Sequence, residues 1–276
     1  MSSSISAVIP CYNQGVSILK TLKSILAQTV EVNEIVVIDD GSDLLNSESI
    51  LKLSSKIKLV INKTNKGRGF CRDLGVSMTT GKFILMVDAT NYIEPDFIKK
   101  SMIHFSDSSI GAVSGALTSL NRNDVLSRWR SRHLFKENER DKDAVKCSML
   151  ITYGTLFTRT SIETAGGFDP KLRFKEDQDL GTRFRKFNFF VIGDPNILIY
   201  CSKLNSITEL LERYSRWYMD AEEKPSLLGY IHNIKASFTP MIVKDLKEGD
   251  IYSIFISLLT PHFQLFHSFK TYLKKD

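Results

Sequence analysis

Two stretches decide the fold: Ser6-Ala7-Val8-Ile9-Pro10-Cys11-Tyr12-Asn13, and Glu34-Ile35-Val36-Val37-Ile38-Asp39-Asp40-Gly41-Ser42. Ser6–Pro10 is a short β-rich run. Glu34–Ile38 is a continuous apolar run of the kind a parallel sheet buries on both faces. Between them Ile18, Leu19, Leu22, Ile25 and Leu26 recur at helical spacing. Outward from this unit the alternation repeats. Residues 44–53 read as helix, 58–61 as strand, 68–78 as helix and 83–87 as strand. Pro95 opens a helix through Phe105, and residues 110–114 return as strand. Such βαβ alternation predicts an α/β domain with a mostly parallel sheet and a ligand at the carboxyl ends of its strands. Asp39, Asp40 and Asp88 all fall at such ends.

The 276 residues suit one large domain, or a domain with an appendage. Apolar content of 42% and charged content of 25% are globular values, which exclude a disordered chain. A net charge of +6 suits an anionic partner such as a nucleotide, a nucleic acid or an anionic lipid. No basic stripe is interleaved with aromatics, so nucleic acid is not expected. Cys11, Cys71, Cys147 and Cys201 are scattered without metal-ligand spacing, which predicts reduced thiols. The five histidines show no metal-binding spacing either. Met-Ser-Ser-Ser-Ile-Ser lacks the features of a signal peptide, and no run of about 18 apolar residues occurs. The expected location is the cytoplasm, with the inner face of the membrane as a second address.

From Leu117 to Cys147 the alternation breaks down, and Arg128, Arg130 and Arg132 are spaced by two. A solvated loop and helix is one reading; a mobile lid on the acceptor side is the other. Residues 148–158 are strand-like, Gly166-Gly167-Phe168-Asp169-Pro170 is a turn, and 177–187 is a helix. At the start of that helix, Glu176-Asp177-Gln178-Asp179-Leu180 sets three carboxylates within four positions. Acids there meet the helix dipole favourably. Three together also repel one another, a cost that stability does not need but that a site with one deprotonated base and one cation-facing acid does. Beyond Asn205 the pattern turns helical, placing a boundary near residue 204 and a helical extension over 205–276.

Several motifs occur in order: Ala7–Asn13, Val37–Ser42, Asn65-Lys66-Gly67, Cys71-Arg72-Asp73, Gly81-Lys82-Phe83, Asp88-Ala89-Thr90, Gly166–Asp169 and Glu176–Leu180. Together they resemble the family 2 glycosyltransferases, inverting enzymes of the GT-A fold, over roughly residues 4–200. Each motif alone is weak; their order and spacing make the resemblance specific. It implies a GT-A, Rossmann-like α/β domain over 1–204. It also implies transfer of a sugar from a UDP- or GDP-sugar to a hydroxyl of a glycan or lipid-linked glycan, in polysaccharide or cell-envelope biosynthesis. The family's nucleotide-contacting positions fall on Pro10, Tyr12, Asp40 and Asp88, with Asp39 and Arg72 beside them. Its catalytic base falls on Asp177, with Glu176 adjoining.

The residue chemistry agrees with these assignments. A carboxylate at a strand end can accept the imide N–H of a base or the hydroxyls of a ribose. Tyr12 offers an aromatic face, and Arg72 a cation for a diphosphate. Asp88-Ala89-Thr90 departs from the family's Asp-x-Asp, whose second acid ligates Mg2+ or Mn2+. Threonine is a poor hard-cation ligand, which puts a metal at Asp88 in doubt. Weak metal dependence, another acid at Glu94 or Asp96, and lost activity are the three explanations. The last makes a non-catalytic, sugar-nucleotide-binding scaffold the alternative function. A nucleotidyltransferase would want a glycine-rich loop where Pro10-Cys11-Tyr12-Asn13-Gln14-Gly15 stands.

Arg213-Tyr214-Ser215-Arg216-Trp217 resembles the Gln-x-x-Arg-Trp signature of processive members, with Arg213 in place of Gln. On a helix, 213, 216 and 217 share a face, on the acceptor and diphosphate side; packing of Trp217 into a core is the other reading. With no spanning helix expected, transfer of a single residue is preferred. Finally, Ile251–Leu273 is apolar and aromatic with polar residues interspersed, and Lys270, Lys274 and Lys275 lie at its end. That pattern fits a peripheral membrane contact, or packing on the catalytic domain.

Overall fold

The computed structural model describes residues 4–119, 123–147, 149–201, 206–218 and 225–272. Leu273, Lys274, Lys275 and the boundary near residue 204 lie outside them. The chain divides into two compact units. One takes Met1–Thr118 and Asp141–Lys203; the other takes Ser119–Arg140 and Leu204–Asp276.

The strands are β1 (Ile5–Cys11), β2 (Glu34–Asp39), β3 (Ile57–Ile61), β4 (Phe83–Val87), β5 (Asn91–Ile93), β6 (Ile110–Ser119), β7 (Val145–Cys147), β8 (Gly154–Thr158) and β9 (Phe190–Cys201). The helices are α1 (Ser17–Leu26), α2 (Ser47–Leu51), α3 (Arg68–Ser77), α4 (Phe97–Ile103), α5 (Val125–Trp129), α6 (Arg159–Thr164), α7 (Glu176–Lys186), α8 (Ile207–Tyr218), α9 (Leu227–Ala236), α10 (Val243–Lys247) and α11 (Ile251–Tyr272).

The strands form one sheet in the order β3-β2-β1-β4-β8-β6-β9-β5, with β7 on β9. Its first four strands are parallel, as the βαβ alternation predicts. From β8 onward the pairings given by register are antiparallel: β4 with β8, β6 with β8, and β5 and β7 with β9. The site belongs to the parallel half. Cys11 stands opposite Asp39 in register, so β1 and β2 end side by side.

Both faces of this half are covered. Val8, Ile84 and Met86 pack with Phe157, Phe168, Leu180 and Phe184, and Val36 and Ile38 pack with Cys71 of α3. Helix α3 lies close on β1: a Cβ at Gly75 would come within 2.2 Å of Val8 Cγ1. Only a residue without a side chain lets the helix approach so near. That approach places Arg72, one turn earlier, at the strand ends.

In the second unit, α5 continues as a π-helical turn, Arg130–Leu134. Residues 127–135 are packed rather than solvated, whereas 141–147 are exposed, as the solvated reading expects. Trp129 is fully buried and its indole N–H donates to Ser257 Oγ at 2.9 Å. Arg128 pairs with Asp250 at 2.8 Å, and Arg132 with Asp245. His133 Nε2 lies 2.6 Å from the same Asp245. Arginines at this spacing read as solvated in a sequence. Here Arg128 and Arg132 are paired by two buried aspartates that lie far along the chain. Helices α8 to α11 make up the rest of the unit, as expected for a helical C-terminal region. No helix among the described residues is long and apolar enough to cross a membrane.

Candidate active site

The loops that leave β1, β2 and β4 are fixed by their own polar residues. Asn13 sits at φ +52°. Its N–H donates to Ser42 Oγ at 2.8 Å and its amide oxygen accepts from Asp43 N at 3.0 Å. The loop after β1 is thus tied to the loop after β2. Pro10 is half-buried in β1, and Tyr12 just beyond it is 45% exposed, its ring available to a ligand.

Asp39 and Asp40 divide the work. Asp39 is buried and accepts from Ser42 N–H at 3.0 Å and from Ser42 Oγ. Asp40 is buried as well. Its carboxylate accepts from Asn62 Nδ2 at 2.9 Å, Lys66 N at 2.8 Å and Gly67 N at 2.8 Å. Burial raises its proton affinity, but the N–H donors from Lys66, Asn62 and Gly67 outweigh that and hold its pKa below the usual aspartate value. The expectation that Asp40 meets a nucleotide directly therefore encounters a carboxylate already engaged in shaping the 62–67 loop. Asn62 was not singled out in the sequence, and no motif flags it.

Asp88 ends β4. Its backbone carbonyl accepts from Asn91 N at 2.9 Å, and Thr21 Oγ1 of α1 donates to the carbonyls of Ala89 at 3.1 Å and Asn91 at 2.6 Å. One Asp88 oxygen accepts from Arg72 Nη2 at 2.8 Å; the side chain stays 33% exposed. Arg72 Nη1 donates to Glu176 Oε1. Arg72 is thus neither a solvated helix arginine nor an exposed cation. It is 1% exposed and bridges two acids that the chain separates widely. Burial lowers its pKa, with Asp88 acting in the opposite sense. Arg72 Nε and Glu176 Oε2 are both buried without a hydrogen-bond partner, so a donor and an acceptor stay unused at the centre of the site.

Glu176 and Asp177 open α7, behind Lys175 in a left-handed conformation at φ +61°. Glu176 is buried and Asp177 half-buried. Burial drives the proton affinity of Asp177 above that of an ordinary aspartate. Arg72 and the Gln178 N–H oppose this, and the negative charge of Asp88 adds to it. Asp179 is held by Arg183 at 3.0 Å on the same helix. The start of α7 is pinned through the turn before it: Gly69 N–H donates to Leu172 O at 3.0 Å, and Arg173 Nη1 to Asn65 O at 3.1 Å. Asn65, of the Asn65-Lys66-Gly67 motif, gains a structural reason here.

The structure thus gathers Pro10, Tyr12, Asp39, Asp40, Arg72, Asp88, Glu176 and Asp177 in one unit. Arg213, Arg216 and Trp217 belong to the other, on α8. There Trp217 is 46% exposed, its ring centroid 6.2 Å from that of Phe135. Of the spare acids considered for a metal, Glu94 is engaged by Lys100 at 2.7 Å and Leu198 N at 2.7 Å. Asp96 accepts from Thr29 Oγ1 at 2.7 Å. Among the described residues no group of three His, Cys, Asp or Glu could hold a metal ion. Asp88 has one carboxylate oxygen not taken by Arg72. That donor set suits only a cation carrying most of its ligands from diphosphate and water.

Residues 6–166 match the family model for glycosyl transferase family 2. The chain belongs to that family. A hyaluronan synthase of Streptococcus pyogenes is 31% identical over 133 residues, which cover 44% of this chain and 31% of the synthase. The chain therefore spans about a third of that relative's length. Among solved structures, Staphylococcus aureus TarS with UDP-GlcNAc superposes with a TM-score of 0.57 at 20% identity, over 77% of this chain and 65% of TarS. A Pyrobaculum calidifontis mannosyltransferase with GDP-Man and Mn2+ gives 0.63 at 14% identity, over 99% and 88%. The family 2 chain has the GT-A fold.

Proposed function

We propose that this glycosyltransferase moves a single sugar, with inversion, from a UDP- or GDP-sugar to a hydroxyl of a glycan or lipid-linked glycan in polysaccharide or cell-envelope synthesis. The observation that carries the reading is Asp177. It is an aspartate of raised proton affinity at a helix start, next to an arginine that binds two more acids. Asp177 takes the acceptor hydroxyl's proton as that oxygen attacks the anomeric carbon, and the bond to the nucleoside diphosphate breaks. Glu176 and Arg72 position it and set its charge environment. Tyr12 stacks on the base, beside Pro10 and Asp39. Asp40 acts on the donor through the loop it holds, and Asp88 faces the ribose or diphosphate. For Arg213, Arg216 and Trp217, the acceptor and diphosphate role rests on sequence likeness alone.

A Mg2+ or Mn2+ ion, held by Asp88 and the donor's own phosphates, would neutralise the leaving diphosphate. Thr90 favours weak binding of such an ion in the free protein, and it is also the observation behind the non-catalytic alternative. Thermal unfolding with a panel of UDP- and GDP-sugars, with and without Mn2+, tests the reading. The right donor raises the melting temperature by mass action. Donor stabilisation without any turnover on glycan acceptors would favour the scaffold instead, and no stabilisation by any sugar nucleotide would sink both.

A further inference from the structure

Helix α11 is built inside out. Ser253, Ser257, Thr260 and Gln264 are buried, while Ile251, Tyr252, Phe255, Leu259, Phe266 and Phe269 are 48% to 72% exposed. The buried set recurs every three or four residues and the exposed set falls at whole-turn spacings between them, so they are two faces of one helix. The inward polar face is satisfied within its own unit. Ser253 Oγ donates to Asp250 at 2.8 Å, and Ser257 Oγ to Asp245 at 2.6 Å. Pro261 has no N–H for the Ser257 carbonyl, and Ser237 Oγ donates to that carbonyl at 2.5 Å instead. The helix is therefore held in this orientation by specific bonds. A helix facing water would show the opposite face.

Its neighbours extend the pattern. Leu227 and Leu228 on α9 are 74% and 80% exposed, and Leu246 on α10 is 60% exposed. Counting α8, which packs on α11, the exposed charges among the described residues are Lys235, Lys247, Lys270 and Arg216 against Glu209, Glu212 and Glu248, a small basic excess. Asp245 and Asp250 are buried against arginines, leaving Glu248 as the exposed acid of residues 225–272 among those described. Exposed apolar and aromatic side chains with exposed lysines on the same helices match the boundary of an anionic bilayer, with acyl chains under the apolar side chains and lipid phosphates at the lysines. At 1.5 Å per residue, the helix offers roughly 33 Å of such contact.

We propose that the outward face of α11, with Leu227, Leu228 and Leu246, docks the protein in the plane of an anionic lipid surface. The proposal rests on the second unit alone and is independent of the reaction. Its test is flotation of the full chain with vesicles of phosphatidylcholine, or of phosphatidylcholine and phosphatidylglycerol in equal parts. The wild type should float with the anionic vesicles, less so in high salt. Phe255→Glu with Phe266→Glu should lower the bound fraction by roughly tenfold or more, and Lys247→Glu with Lys270→Glu should remove the anionic preference. All four positions face outward, so these variants should keep the wild-type circular dichroism and melting temperature. Absence of flotation with either vesicle overturns the proposal, as does equal flotation of the phenylalanine variant. A wild-type dimer in sedimentation that this variant dissociates would also overturn it, since a second copy would then cover the face. No nucleotide or sugar is present, so failure here leaves the proposed transfer untouched.

Discussion

Arg72 donates to Glu176 across 104 residues of chain, and both side chains are buried. The same guanidinium holds Asp88, so the acid that follows β4 and the first residue of α7 share one cation. Asp177, the next residue, sits in the field of Arg72 and Asp88.

Removing that cation should cost stability before it costs anything else. Arg72→Leu leaves the buried Glu176 carboxylate without its partner, a loss of about 3–5 kcal/mol in urea unfolding. Arg72→Lys should recover only part, because one ammonium cannot replace a planar fork reaching two acids. If Arg72→Leu with Glu176→Leu is no more stable than Arg72→Leu alone, the pair is not the reason for the loss.

Asp177→Asn keeps the shape of the base but cannot accept the proton. Turnover should fall by ~10²–10⁴-fold, with donor affinity by calorimetry near the wild type. Asp179→Asn should keep most activity, since Asp179 is occupied by Arg183 on its own helix. The reverse ranking of the two variants would mean the base has been misassigned.

The pH profile follows from the direction of two shifts. Asp177 holds its proton more tightly than an ordinary aspartate, so it is charged only at higher pH. The rate should therefore fall on acidification through a limb lying above the ordinary aspartate value. Asp40 is shifted down; the stability it gives is present above the unfolded pKa and lost only as pH drops through the lower folded value. Acid should silence turnover before it loosens the 62–67 loop. Rates and near-ultraviolet circular dichroism across the same pH series check the order, and simultaneous loss would contradict it.

Gly69→Ala tests the coupling of α3 to the turn before α7. A Cβ there would lie 2.2 Å from the Asp169 carbonyl oxygen and 2.5 Å from that of Leu172. Backbone on both sides must shift, at about 1–3 kcal/mol, and turnover should fall more than donor affinity. Wild-type stability and rate would show that the approach is not needed.

The parallel half of the sheet was legible because its signals are local. Val36 to Ile38 and Phe83 to Val87 are unbroken apolar runs, and Asp39, Asp40 and Asp88 follow them directly. Strand β9 was not read: Gly193-Asp194-Pro195-Asn196 interrupts its apolar run, and its edge partners tolerate the break. The burial of Arg72 could not be read from α3, since both its partners come from other segments. Asp245 and Asp250 hid the role of Arg128 and Arg132 in the same way. In α11 the sequence showed polar residues interspersed among apolar ones, but only the buried serines reveal which face points inward.

The strand order also sets a timetable for synthesis. Strands β1 to β4 and the helices between them can assemble while later residues are still being added, because their pairings are close in sequence. Tyr92 must wait for Tyr200, its partner in the ladder, and Arg72 must wait for Glu176. Until α7 emerges, closing α3 onto β1 would sequester a cation with Asp88 as its only counter-charge. The chain thus has a reason to keep its catalytic end open on the ribosome, and a stalled fragment ending before residue 176 should expose α3 to proteolysis that the finished fold resists.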